Sequence, residues 1–169
     1  MSDNNLIVVK TNQTIKTSGK LLLTIMGNPI GKALKVTQIY RVGALNTISG
    51  INKTTGTKNE MNRIKELFRF QYPHHKPYTE PVLMKINIFY PIPKSNSDRM
   101  KKEKLEGRII PTIKPDASNV IKLVEDALNK TAWRDDAQVI PIPWKYYSDN
   151  PRIELSIEKL EIVNKDKKL

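Results

Sequence analysis

The stretch Val82–Tyr90, VLMKINIFY, limits most severely what this chain can fold into. Val82, Met84, Ile86 and Ile88 recur with period two, so a strand places all four on one face. Such a face needs a sheet around it and a covering layer above it. Two amphipathic segments can supply that layer. From Thr57 to about Gln71, Met61, Ile64, Leu67 and Phe68 recur at helical spacing, and Pro73 ends the helix. From about Asp116 to Asn129, Val120, Ile121, Val124, Ala127 and Leu128 form a second apolar stripe. Pro115 and Asp116 suit a helix start, because proline needs no donor there and a carboxylate faces free N–H groups.

Further strands are expected at Leu21–Met26, Val36–Val42, Gln138–Ile142 and Arg152–Leu160. GNPIGK, after Met26, marks a turn. The glycines and small polar residues of GALNTISGINKTTGTKN predict a long mobile loop. The expected order is ββαβαββ, an α+β domain with helices packed on a β-sheet. Residues 1–19 read as an N-terminal arm or a short added strand, 20–163 as one domain, and 164–169 as a charged tail. No internal repeat is visible, and 169 residues suit a single core.

Lys and Arg number 29 against 17 Asp and Glu, a net charge of +12. Such an excess favours polyanions: DNA, RNA, an anionic membrane surface or a ribosome. The connection 91–115 concentrates it, with Lys94, Arg99, Lys101, Lys102, Lys104, Arg108 and Lys114 set against Asp98, Glu103 and Glu106; its middle has room for a short exposed helix. Cysteine is absent, which removes disulfides and thiolate metal sites. Apolar runs are too short to span a bilayer, and MSDNNLIVVK lacks the features of a secretion signal, so a cytoplasmic protein without a membrane partner is expected.

Acidic residues flank the second helix: Asp116 at its start, Asp135 and Asp136 beyond its end. Phosphodiester hydrolysis needs charge neutralisation at phosphate and an activated water, which Mg²⁺ held by one or two carboxylates supplies. That chemistry requires Asp116 and Asp136 to converge, with the strand after Asp136 returning alongside the helix. The bland readings are equally definite: Asp116 as a helix cap, RDDA as a turn, Lys122 as a solvated charge on the Ser118 face. His74 and His75 are adjacent and lack a partner ligand. Tyr40, Trp133 and Trp144 read as core or as DNA-stacking aromatics, with core the better default.

KPDASNVIKLVEDALNKTAWRDDAQV, residues 114–139, resembles the signature of the RusA family of Holliday junction resolvases, phage-derived endonucleases. That signature reads Lys or Arg, Pro, Asp, any residue, Asp, Asn, then Lys three positions on, Asp-Ala-Leu, an aromatic residue, and Asp-Asp-x-Gln-Val/Ile. Lys114, Pro115, Asp116, Asn119, Lys122, Asp126, Ala127, Leu128, Trp133, Asp135, Asp136, Gln138 and Val139 match it. TIMGNPIGKALKVT looks like the family's opening strand and turn, with Lys32 at its lysine position, and PRIELSIE like its closing strand. The resemblance implies a small homodimeric α+β nuclease of bacterial or phage-infected cells. Such an enzyme makes paired symmetric nicks in four-way or branched DNA and depends on Mg²⁺, for which Mn²⁺ can substitute. Carried over, the metal-holding positions fall on Asp116, Ser118 and Asp136, with Asp135 as a possible compensating ligand; Asp116, Lys122 and Asp136 are the catalytic set. Lys32, Lys35, Lys101, Lys102, Lys114, Asn119 and Arg134 are the expected DNA contacts.

Ser118 departs from the pattern, replacing a carboxylate by a hydroxyl. Two readings follow. In the first, the enzyme is active and Ser118 holds the ion weakly or through water. In the second, catalysis is weakened and the fold survives as a DNA-binding module. A basic RNA- or ribosome-associated protein fits the charge but leaves the 114–139 pattern unexplained.

Overall fold

The computed structural model describes the backbone of residues 7–8, 13–42, 45–53 and 55–164, and side chains over 15–33 and 55–161. Its elements are β1 (Ile7–Val8), β2 (Gln13–Met26), β3 (Leu34–Val42), β4 (Leu45–Lys53), α1 (Thr55–Gln71), β5 (Val82–Pro91), α2 (Asp98–Leu105), α3 (Ala117–Leu128), β6 (Val139–Ser148) and β7 (Arg152–Asn164). The expected α+β class holds, but the order is richer than ββαβαββ. A main five-stranded sheet runs β1-β2-β7-β5-β6, and β3 pairs with β4 in a separate two-stranded ribbon.

β5 lies between β6, which runs parallel to it, and β7, which runs antiparallel. Val82, Met84, Ile86, Ile88 and Tyr90 are all buried, as their alternation requires. They meet Leu23 and Ile25 from β2, and Ile153, Leu155 and Ile157 from β7, in a single core. Ile64 and Phe68 of α1, and Val120, Leu123, Val124, Ala127 and Leu128 of α3, close that core from above. Leu123 extends the expected stripe of α3, and Ile121 lies only partly buried at its margin.

Three sequence expectations need correction. GALNTISGINKTTGTKN is not one long loop: 45–53 form β4, and α1 begins at Thr55. Gly50 sits where the β3–β4 register shifts. In a two-stranded ribbon a glycine can mark a bulge as readily as a break. The boundary drawn at residue 19 falls inside β2, which bulges at Ser18/Leu21. Gly19 takes φ +63° there, and its carbonyl accepts from the Tyr78 hydroxyl at 2.6 Å. The third correction is Trp144, expected in the core but 54% exposed on β6. The side chains of Lys35 and Tyr40, and residues 165–169 of the expected tail, lie outside the described residues.

Trp133, by contrast, is fully buried, with its indole N–H unpartnered. Trp133→Ala is expected to cost about 3–5 kcal/mol through the cavity it leaves. Trp133→Phe should cost less than about 1.5 kcal/mol, because most of the ring volume stays and an unsatisfied donor goes. Thermal melts of both variants test this, and equal losses would refute the packing role.

Candidate functional site

α3 and its two flanks carry the signature. Asp116 is the N-cap residue in an extended conformation, yet its side chain makes no cap hydrogen bond. Just before it, the Pro115 carbonyl accepts from Tyr90 at 2.6 Å, which anchors the start of α3 at the C-terminal end of β5. Burial, and then the Asp116 carboxylate, push the Tyr90 hydroxyl up to about 12, so it remains a donor. Asp116 is exposed beside Ser118, and Lys122 follows Ser118 by one exposed turn.

At the other end, Asp135 and Asp136 have different tasks. The Asp135 carboxylate accepts from the Ala137 N–H at 2.9 Å, and the Gln138 side chain accepts from the Asp135 N–H at 2.8 Å. This is a reciprocal cap on the 3-10 turn Asp136–Gln138. Gln138 also donates to the Glu80 carbonyl at 2.8 Å, which docks the turn beside the start of β5. Asp135 is therefore the turn-forming residue, while Asp136 faces solvent.

The expected convergence of Asp116 and Asp136 does not occur within one chain. β6 is parallel to β5, with Val139 opposite Val82, so Asp136 lies at the N-terminal end of both strands. Asp116 lies at the other end, near Tyr90. The separation is one helix length, on the order of 20 Å. Among the described residues, no group of three or more His, Asp or Glu is placed to hold a metal ion. A single chain thus presents two half-sites of hard oxygen donors and does not by itself fit a bound Mg²⁺.

Lys32 also differs from expectation. Its ammonium pairs with Asp126 at 2.9 Å, and its N–H donates to the Asn119 carbonyl at 2.8 Å. A Cβ on Gly31 would stand 2.9 Å from the Pro115 side chain and 3.0 Å from that of Asn119. Gly31 and Lys32 therefore seat the 27–33 turn against α3, the backbone at Asn119 and the ammonium at Asp126. The signature's Asp126 acquires a role the same way.

The basic connection is partly self-neutralised. On and beside α2, Lys101 pairs with Asp98, Arg99 with Glu103, and Lys102 and Arg108 with Glu106. Such exposed pairs are worth little and can be exchanged for phosphate. Lys104 is structural: it is buried, stacks over Tyr147 at 4.2 Å and donates to Asn96 at 2.7 Å. Lys114 and Arg134 are exposed, one at each end of the signature.

Glu125, in the last turn of α3, has its carboxyl raised above the usual range by burial first, then by Asp136 and Asp126, against the opposing pull of Lys122 and Lys32. A raised carboxyl stabilises the fold only where it is protonated, and that contribution is lost as pH rises through its folded value. Glu125→Gln should therefore raise the melting temperature at pH 7 and leave it nearly unchanged below about pH 4. Paired melts at the two values test this; a stabilisation as large in acid as at neutrality would contradict it.

The comparisons with known proteins agree with the motif. A family model described as endodeoxyribonuclease RusA matches residues 39–158, more than half of the chain. The uncharacterized protein YqaN of Bacillus subtilis (strain 168) is 44% identical over 92 residues. That match covers 51% of this chain and 65% of the relative's length. With the signature lying within the matched region, this chain belongs to the RusA endodeoxyribonuclease family.

Proposed function

We propose that two copies of this chain form an Mg²⁺-dependent endodeoxyribonuclease that resolves four-way or branched DNA by paired, symmetric nicks. The observation that carries this reading is the state of two carboxylates. Asp116 occupies a cap position without capping, and Asp136 faces solvent while its neighbour does the structural work. Neither is needed to hold the fold, and both stand on a strongly cationic protein.

A second copy answers the separation. Ile140, Pro141, Ile142, Pro143 and Trp144 of β6 are all exposed, so this edge strand is apolar on both faces. Such a strand reads as one from the middle of a larger sheet. Laying β6 against its symmetry mate in the opposite direction brings the Asp136 end of one chain to the Asp116 end of the other. Pro141 and Pro143 lack N–H groups, so side chains rather than a full ladder would make the contact. The two-fold axis then generates two equivalent sites, which suits two equivalent strands of a junction.

In each site Asp116, Ser118 and the partner's Asp136 would hold the ion; Mg²⁺ bound there supplies charge neutralisation at phosphate and a more acidic water. Lys122, one turn beyond Ser118, faces the same side and stabilises charge building on the phosphate oxygens. Lys101, Lys102, Lys114 and Arg134 grip the backbone without reading sequence.

Asp116→Asn should abolish nicking of a four-way junction while binding survives or tightens, because a negative charge beside phosphate is removed. Mixing is the sharper test. Asp116→Asn and Asp136→Asn, each inactive alone, should regain single-strand nicking when mixed, since the mixed pair contains one intact site. Inactivity of the mixture, alongside demonstrated exchange of subunits, would place both carboxylates in the same chain and refute the shared site.

Ser118→Asp restores the family's third carboxylate. It should lower the Mg²⁺ concentration needed for half-maximal nicking several-fold, read from a titration on the same junction. Binding without cutting in wild type, with cutting only in Ser118→Asp, would instead identify a catalytically weakened binding module.

A further inference from the structure

We infer that the protein has a nucleotide-stacking cleft at its Asp136 end, separate from the acidic positions, which takes one unpaired nucleotide of the branched DNA. The inference rests on the nuclease reading for its partner and on an independent set of residues for its location.

A cleft of about 360 Å³ opens between the end of α1, the segment 72–77 and the turn at Lys130–Thr131. Tyr72, Pro73, Pro77 and the buried Phe68 give it a lining of rings. His75 fixes the geometry: its Nε2 lies 2.9 Å from the Ala132 carbonyl, and its ring packs edge-on against Phe68 at 5.3 Å and Tyr78 at 4.7 Å. The cleft is therefore formed before any ligand arrives. Rings and prolines set this way stack on a nucleobase regardless of its identity.

The rim is cationic. Arg69 pairs with Glu66, at 3.2 Å between two largely exposed side chains, a weak link that phosphate can replace. Lys130 holds φ +60°, a conformation that costs a non-glycine residue about 1 kcal/mol or more. Lys130 and the next residue, Thr131, both line the cleft. Apolar walls for a base and two cations for its phosphates match an unpaired nucleotide better than they match intact duplex, whose bases stay stacked. The location agrees, because Ala132 pairs with Tyr78 in the segment that leads directly to Arg134 and Asp136.

The discriminating variant is Lys130→Gly. Glycine accepts φ +60° without strain, so a purely structural Lys130 predicts unchanged or higher thermal stability and no change in DNA binding. The cleft predicts the same stability with about tenfold weaker junction binding. The assay uses EDTA, so no strand is cut, and four-way junctions with 2-aminopurine placed in turn at each nucleotide of the branch. Wild type should change the fluorescence at one branch position, and Lys130→Gly should abolish that change. If wild type binds the junction no better than linear duplex, the nuclease reading itself fails. If it prefers the junction while every 2-aminopurine stays silent, or while Lys130→Gly binds and signals as wild type does, the cleft is overturned and the nuclease reading stands.

Discussion

The seating of α3 on β5 decides most of what this molecule can do. Val120, Leu123, Val124 and Leu128 are fully buried there, which is worth on the order of 10 kcal/mol before conformational entropy is subtracted. Because α3 starts beside the C-terminal end of β5, leads into β6, and β6 is parallel to β5, α3 must run back against both strands. A helix bound this way cannot bring its two flanks together. The same packing that makes the core stable thus holds Asp116 and Asp136 a helix length apart, and leaves each chain with two incomplete ends.

Much of the fold was legible because period and punctuation agreed. VLMKINIFY could only be a strand with a buried face, and the stripe from Val120 to Leu128 could only be a covered helix. Legibility failed where burial and composition parted. β4 holds Asn46, Thr47, Ser49, Gly50 and Asn52, which local chemistry assigns to loops, and its pairing with β3 makes it a strand. Trp144 has the chemistry of a core residue, yet it stands exposed on β6, at the edge of the sheet. Sheet order is a non-local property, and no run of residues encodes it by itself.

The site shows the same division. Residue types and spacing singled out Asp116, Lys122 and Asp136 as candidates, while the pairing of the surrounding charges emerged only from their neighbours. Lys32 and Lys104 count towards a basic surface in any tally of the sequence, yet one is held by Asp126 and the other lies over Tyr147. The Asp135–Asp136 pair is likewise divided, one carboxylate capping the turn that presents the other. The sequence contained the signal for that division in Gln138, three residues beyond Asp135, where a side chain can reach back to complete a reciprocal cap. The cleft around Lys130 had no such signal, because it draws on three separated segments.

In the proposed two-chain site, the replacement at Ser118 is best understood through charge. A site drawing Asp116 from one chain and Asp136 from another has two negative charges, enough to balance a divalent cation but with no excess to hold it before DNA arrives. Phosphate brings the missing charge. An ion bound weakly by the protein alone and firmly by protein and DNA together is retained mainly when a strand lies across both half-sites. On a protein whose net charge of +12 favours any nucleic acid, that dependence would restrict ion retention to DNA that reaches both ends of α3 across the proposed pair. Linear duplex held only along the α2 surface would find cations and no complete site. A branch spanning the two-fold axis would meet both. In the proposed pair the serine would therefore shift part of the selectivity from binding to ion retention, and the separation enforced by α3 would make that shift effective.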